Sequence, residues 1–157
     1  MKYLFALACL IFSFPALAQE RMCTQIGCMN GVNFTVDPNR DWKNGQYEVH
    51  VALDLKTVVC RGELPLHPCD QGPTFRCDDP DVTVMESGCA LPDNNHGIGG
   101  IMINDDPQKI IVRLTRNYRT ILTRTIVPQY QTSMPNGPGC GPVCRGASFD
   151  LFSAEKR

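Results

Sequence analysis

Gln46-Tyr47-Glu48-Val49-His50-Val51-Ala52-Leu53-Asp54-Leu55-Lys56-Thr57-Val58-Val59-Cys60-Arg61-Gly62-Glu63-Leu64 is the stretch that decides the fold class. Tyr47, Val49, Val51 and Leu53 alternate with Glu48, His50 and Ala52. A period of two puts the first set on one face of a strand and the second on the other. Asp54 to Thr57 then reads as a tight reversal, and Val58-Val59-Cys60-Arg61 resumes an extended pattern. The whole predicts a β-hairpin over residues 46–64 with one buried face.

The same logic recurs downstream. Ile110, Val112 and Leu114 alternate with Ile111, Arg113 and Thr115, Asn117-Tyr118 makes a turn, and residues 119–127 return, rich in β-branched side chains. Between the hairpins, Val82 and Val84 mark a short strand, and Ile98, Ile101 and Ile103 flank Gly99-Gly100 as a bent or bulged one. Upstream, Val32, Phe34 and Val36 alternate with Asn33 and Thr35. Residues 65–80 are dense in Pro, Gly and Cys and read as an irregular excursion, as does the Cys-rich segment 128–145; residues 147–152 read as a last edge strand. Trp42 and Tyr47 sit at the mouth of the first hairpin, where they are expected to close the core. Nothing has the period of a long amphipathic helix. About seven short strands with turn signals between them give an all-β chain, and a β-sandwich is the architecture that buries one face of each.

The first residues carry a different signal. Lys2 precedes an apolar run from Leu4 to Phe14, Pro15 breaks it, and Ala16-Leu17-Ala18 supplies small residues at the cleavage positions. This is the layout of a secretory signal peptide over residues 1–18, leaving 19–157 as a single domain. The run is too short for a stable membrane span, and no later stretch is long or apolar enough. With Lys2 removed, 14 Lys and Arg stand against 16 Asp and Glu, a net charge of −2, which gives no field that would draw nucleic acid. Cys9 leaves with the signal, and eight cysteines remain: Cys23, Cys28, Cys60, Cys69, Cys77, Cys89, Cys140 and Cys144. In an oxidising compartment that even number reads as up to four disulfides. Close pairing within Cys23/Cys28 and Cys140/Cys144, or bridging from either pair to a distant strand, both fit the spacing.

The stretch from Cys23 to Cys60, with Gly27-Cys28 and Gly45-x-Tyr47, resembles small exported bacterial proteins of no assigned activity. The ending Pro135-Asn136-Gly137-Pro138-Gly139-Cys140-Gly141-Pro142-Val143-Cys144 is similar to the Cys-rich tail of some of them. The resemblance covers roughly half of the mature chain. It implies an immunoglobulin-like sandwich in the periplasm or outside the cell, and it transfers no catalytic residue.

Chemistry-bearing patterns are sparse. Cys140 to Cys144 has ligand-like spacing, but no second pair mirrors it, so disulfides take precedence over zinc. His50, His67 and His96 belong to no paired metal motif, and neither Ser87 nor Ser133 sits in a nucleophile motif. Asp93-x-Asn95-x-Gly97 resembles the start of a calcium loop, yet Ile98 stands where the turn glycine belongs. No cofactor or metal is implied. The strongest surface feature is basic: Lys109, Arg113, Arg116, Arg119 and Arg124 with no acid among them. Several are expected on one face or at the tip of the second hairpin. There they would hold an acidic protein or envelope polymer, or else serve as solvated charges that discourage edge pairing. The function expected is an exported, non-enzymatic binding or structural module in the periplasm or outside the cell. The alternatives are a small secreted hydrolase using His96 and Asp93, and an inhibitor that presents the Cys-braced loop 65–80.

Overall fold

The computed structural model describes residues 22–153. Within them, ten strands form two five-stranded sheets that share one core, a sandwich-like all-β arrangement. The proposed leader and Cys9 lie outside the described residues. No helix among the described residues is long and apolar enough to cross a membrane.

The first hairpin forms as its alternation demands. β2 (Gly45–Leu53) pairs antiparallel with β3 (Lys56–Leu64), Gly45 opposite Leu64 and Leu53 opposite Lys56. The reversal is tighter than expected, with only Asp54 and Leu55 outside the ladder. Asp54 takes φ 47°, a left-handed conformation that Asp tolerates better than most residues. Its carboxylate then accepts the backbone N–H groups of Gln108 and Lys109 at 3.0 and 2.9 Å, tying the hairpin turn to the entry of the second hairpin. That hairpin is β7 (Ile110–Arg116) with β8 (Arg119–Ile126). β7 lies against β2, Val112 opposite Val51. The short β4 (Arg76–Cys77) completes the sheet in the order β4-β3-β2-β7-β8. Tyr47, Val49, Val51, Val112 and Leu114 all face inward and are buried. Each such side chain contributes about 1.5–3 kcal/mol when it leaves water.

The second sheet runs in the order β5-β6-β1-β10-β9: β5 (Val82–Ser87), β6 (Gly97–Ile103), β1 (Gly31–Thr35), β10 (Cys144–Asp150) and β9 (Gln131–Ser133). The expected bulge is present. Met85 stands opposite Gly100 and Glu86 opposite Ile98, which leaves Gly99 as the extra residue.

Several expectations need correction. The described residues hold ten strands rather than about seven. β4 lies inside the excursion 65–80, and β9 and the start of β10 lie inside the segment 128–145. β10 is not an edge strand. It lies between β9 and β1 and runs parallel to β1, Gly31 opposite Gly146 and Thr35 opposite Asp150. Its Gly146-Ala147-Ser148 centre has too little apolar character to announce an interior strand. Gly146 fits because a Cβ there would lie 3.2 Å from the Met29 carbonyl oxygen and 3.3 Å from that of Gly31.

All eight cysteines of the described residues are bonded, as Cys23–Cys140, Cys28–Cys144, Cys60–Cys77 and Cys69–Cys89. Such density suits an oxidising compartment. The first two bridges span 117 and 116 residues and clip the start of the described chain to the segment that begins β10. β1 and β10 therefore leave the same clipped end together, which is why they run parallel.

Near that end, the Tyr130 hydroxyl donates to the Pro107 carbonyl at 2.8 Å, and the Arg145 guanidinium lies 4.2 Å from its ring centroid. Burial, reinforced by the Asp106 carboxylate, pushes the phenol up to about 12. Alkaline titration at 295 nm should therefore show a tyrosine step near pH 12 that Tyr130→Phe removes. Between an unfolded value of about 10 and that folded value the native state holds more protons than the unfolded chain, so stability should fall as pH rises through the window. A wild-type titration complete by pH 11 would contradict this.

Candidate functional site

The registers send β1, β3, β5, β7 and β10 toward one end of the molecule, where β2, β6 and β8 begin. Loops 36–44, 65–75 and 88–96 and the Asn117-Tyr118 turn therefore gather there. Three contacts fix them to each other. Cys69–Cys89 joins loop 65–75 to loop 88–96. His96, 6% exposed, accepts the Leu66 N–H on Nδ1 at 2.9 Å, so its proton sits on Nε2, which donates to the Leu91 carbonyl at 2.9 Å. Trp42 lies over Gly97, where a Cβ would come within 2.3 Å of the indole. Trp42 also meets Tyr47 edge-on at 5.7 Å between centroids, and the Tyr47 hydroxyl donates to the Lys43 carbonyl at 2.6 Å. The two aromatics close this end of the core, as the spacing indicated.

The five basic residues do not share one face. Lys109 lies beside the Asp54 turn, at the opposite end of β7 from Arg116. Seven residues of strand separate such positions by roughly 20 Å. Arg113 is on the outer face, cross-strand from His50 and Thr123. Arg124 is in the inward row opposite Val112 and donates to the Asp150 carbonyl of the other sheet. Arg116 and Arg119 stand opposite each other at the tip, with Asn117 and Tyr118 between them. The tip alone concentrates charge.

That tip is strained and is tied back to β2. Asn117 and Tyr118 take φ of 47° and 64°, the left-handed pair of a hairpin turn whose second position favours Gly. Asn117 donates its N–H to the Gln46 carbonyl at 2.8 Å and accepts the Gln46 N–H on Oδ1 at 2.9 Å. Tyr118 is 88% exposed. A bulky residue in this conformation costs about 1–2 kcal/mol. Beside the tip a groove of about 420 Å³ runs from Tyr118 over Thr115 and Glu48 to His67. Glu48 anchors its floor by accepting from His50 at 3.1 Å and Arg61 at 3.0 Å, and these bonds hold its carboxyl below the usual carboxylate range.

The remaining sequence candidates fall elsewhere. Both nitrogens of His96 are taken by backbone groups, and Asp93 lies in a 3₁₀ turn, Asp93–Asn95, rather than a calcium loop. No group of three or more His, Cys, Asp or Glu among the described residues is placed to hold a metal ion. The strained Tyr118 was not singled out from sequence. The Asn-Tyr pair in a two-residue turn was the signal that marked it, since Gly is the usual second residue. Comparison with models of protein families, with curated proteins and with solved structures gives no match.

Proposed function

We propose that this chain is an exported binding module that captures a protein partner in the periplasm or outside the cell with the loop-lined end of an immunoglobulin-like sandwich. Strand order supports the architecture. The order β3-β2-β7-β8 is two hairpins side by side, as C′-C-F-G in variable-type domains, and β5-β6-β1 corresponds to D-E-B. β10 takes the place beside β1 that strand A holds in that fold. On this correspondence loop 36–44 and the Asn117-Tyr118 turn are the B–C and F–G loops, two of the segments that immunoglobulin variable domains use for recognition. A signal peptide over residues 1–18 fits the four disulfides.

The observation that carries the reading is Tyr118. An aromatic kept exposed at a position that favours Gly, between two arginines, is stability given up for a surface. Tyr and Arg are the side chains that dominate interface energetics. Tyr118→Gly is therefore expected to raise stability by about 0.5–1 kcal/mol, the strain released less the added freedom of the unfolded glycine. The same change should weaken partner capture about 30-fold, the effect of losing a hot spot worth about 2 kcal/mol. Immobilised oxidised protein, presented with its own envelope fraction and culture medium at several salt concentrations, makes the comparison. Equal retention by wild type, Tyr118→Gly and the Arg116→Glu/Arg119→Glu pair would sink the proposal.

A second reading, inhibition of a foreign enzyme, draws support from loop 65–75. Residues 67–73 are all exposed in an unbroken run, and Cys69 in their midst is bonded to Cys89. Such a loop is pre-organised for insertion into a cleft.

A further inference from the structure

We propose that the cleft between loops 36–42 and 88–96 is a second binding site, one for an acidic saccharide with a carboxylated pyranose ring. The cleft measures about 630 Å³ and is separate from the Tyr118 groove. Arg40 is its central feature. The guanidinium carbon lies 3.3 Å from the ring centroid of Phe152 and 5.4 Å from that of Trp42, and the two rings meet edge-on at 5.9 Å. No carboxylate among the described residues lies within ion-pair distance of it; the neighbouring Asp41 is paired with Lys43 at 2.5 Å instead. A planar cation held against aromatic faces and left without an acid is a pre-organised fork for a carboxylate.

The rest of the lining distinguishes a sugar from a simple anion. Asn39, Asn94 and Ser87 offer donors, while Asp37 and Asp41 offer acceptors in the same cleft. Those two acids repel the concentrated charge of phosphate or sulfate, whereas they suit a ligand that brings several hydroxyl donors for each negative charge, as one carboxylated ring does. Half-buried Trp42 supplies an apolar wall with an indole N–H, the amphipathic surface that a pyranose ring matches with its C–H bonds and hydroxyls.

Trp42 is the only tryptophan of the chain, so all of the indole fluorescence comes from a residue that lines this cleft. Titration of the oxidised protein with tetragalacturonate should change the emission saturably. A neutral galactose tetrasaccharide should bind roughly ten- to a hundredfold more weakly, the effect expected of one charge-assisted pair. Arg40→Gln should abolish that preference, and Arg40→Lys should lose most of it because an ammonium lacks the planar fork. Near-UV circular dichroism establishes that each variant is folded, and if Arg40→Gln is not, the lysine variant decides. The absence of a saturable response to tetragalacturonate, equal binding of the neutral sugar, an equal response to inorganic phosphate, or an unchanged preference in the folded variants would each overturn the proposal. Tyr118→Gly should leave saccharide binding unchanged, so the failure of one site is separable from the failure of the other.

Discussion

Replacing Cys23, Cys28, Cys140 and Cys144 together by serine is expected to cost far more stability than either bridge alone would indicate. Cys28–Cys144 closes 116 residues, and Cys23–Cys140 closes 117 by nearly the same path. While one bridge stands, the other closes only the small ring of residues between the paired cysteines, about ten in all, worth about 3 kcal/mol on the chain-entropy estimate. Removing the last one opens the long loop, worth about 5 kcal/mol more. Either pair changed to serine should therefore cost about 3 kcal/mol and both pairs about 8 kcal/mol, a loss comparable to the whole stability of many domains. Denaturant unfolding followed by circular dichroism reads both values. Equal losses in the single-bridge and the two-bridge variants would refute the nested-loop account.

The effect should reach the far end of the molecule. β10 leaves the clipped end beside β1 and finishes at Asp150, two residues before Phe152. Phe152 stacks on Arg40 and meets Trp42. A released β10 loosens that stack, so the variant lacking both bridges should show red-shifted Trp42 emission under conditions where it remains folded. The covalent clip at one end thus holds an aromatic support in place at the other.

The two hairpins were legible because everything that specifies them is local. Alternation fixes which side chains of residues 46–53 and 110–116 turn inward, and the residues at each reversal fix the turn. β10 was legible only as a strand, not as an interior one. Its place depends on Cys28–Cys144 and on Gly146 allowing a close approach to the Met29 and Gly31 carbonyls, contacts made across more than a hundred residues of chain. Cysteine pairing was open for the same reason, since spacing along the chain says nothing about which ends meet. The basic run was visible as composition; Arg116 and Arg119 do stand at the hairpin tip, but the division of the other three was not legible. A register shift leaves Ile121 as an extra residue in β8, and the resulting rows put Arg113 outside and Arg124 inside the same hairpin. Charge that is contiguous in sequence was divided by the pleat and by the length of the strand.

His96→Ala is expected to be the most damaging single substitution at the loop-lined end. The ring has a neutral form fixed by its partners, accepting from Leu66 N–H and donating to the Leu91 carbonyl, both at 2.9 Å, in a site only 6% exposed. Alanine leaves a backbone donor and a backbone acceptor buried without partners, at about 1–3 kcal/mol each, and leaves a cavity as well. A loss of about 3–5 kcal/mol follows. His96→Gln, whose amide carries both an acceptor and a donor, should recover part of it, whereas His96→Phe, which fills the volume without either, should not. Cys69–Cys89 joins the same two loops, so the segments stay tethered and the damage stays local. Hydrogen exchange resolves this. The Leu66 amide, protected in the wild type, should exchange at the rate of an exposed loop in His96→Ala, while the Val51 and Val112 amides at the sheet centre change only by the global loss. A Leu66 amide that stays protected, or a stability loss under 1 kcal/mol, would mean that this histidine does not hold the loops together, and the rigid end on which both proposed sites depend would lose its support.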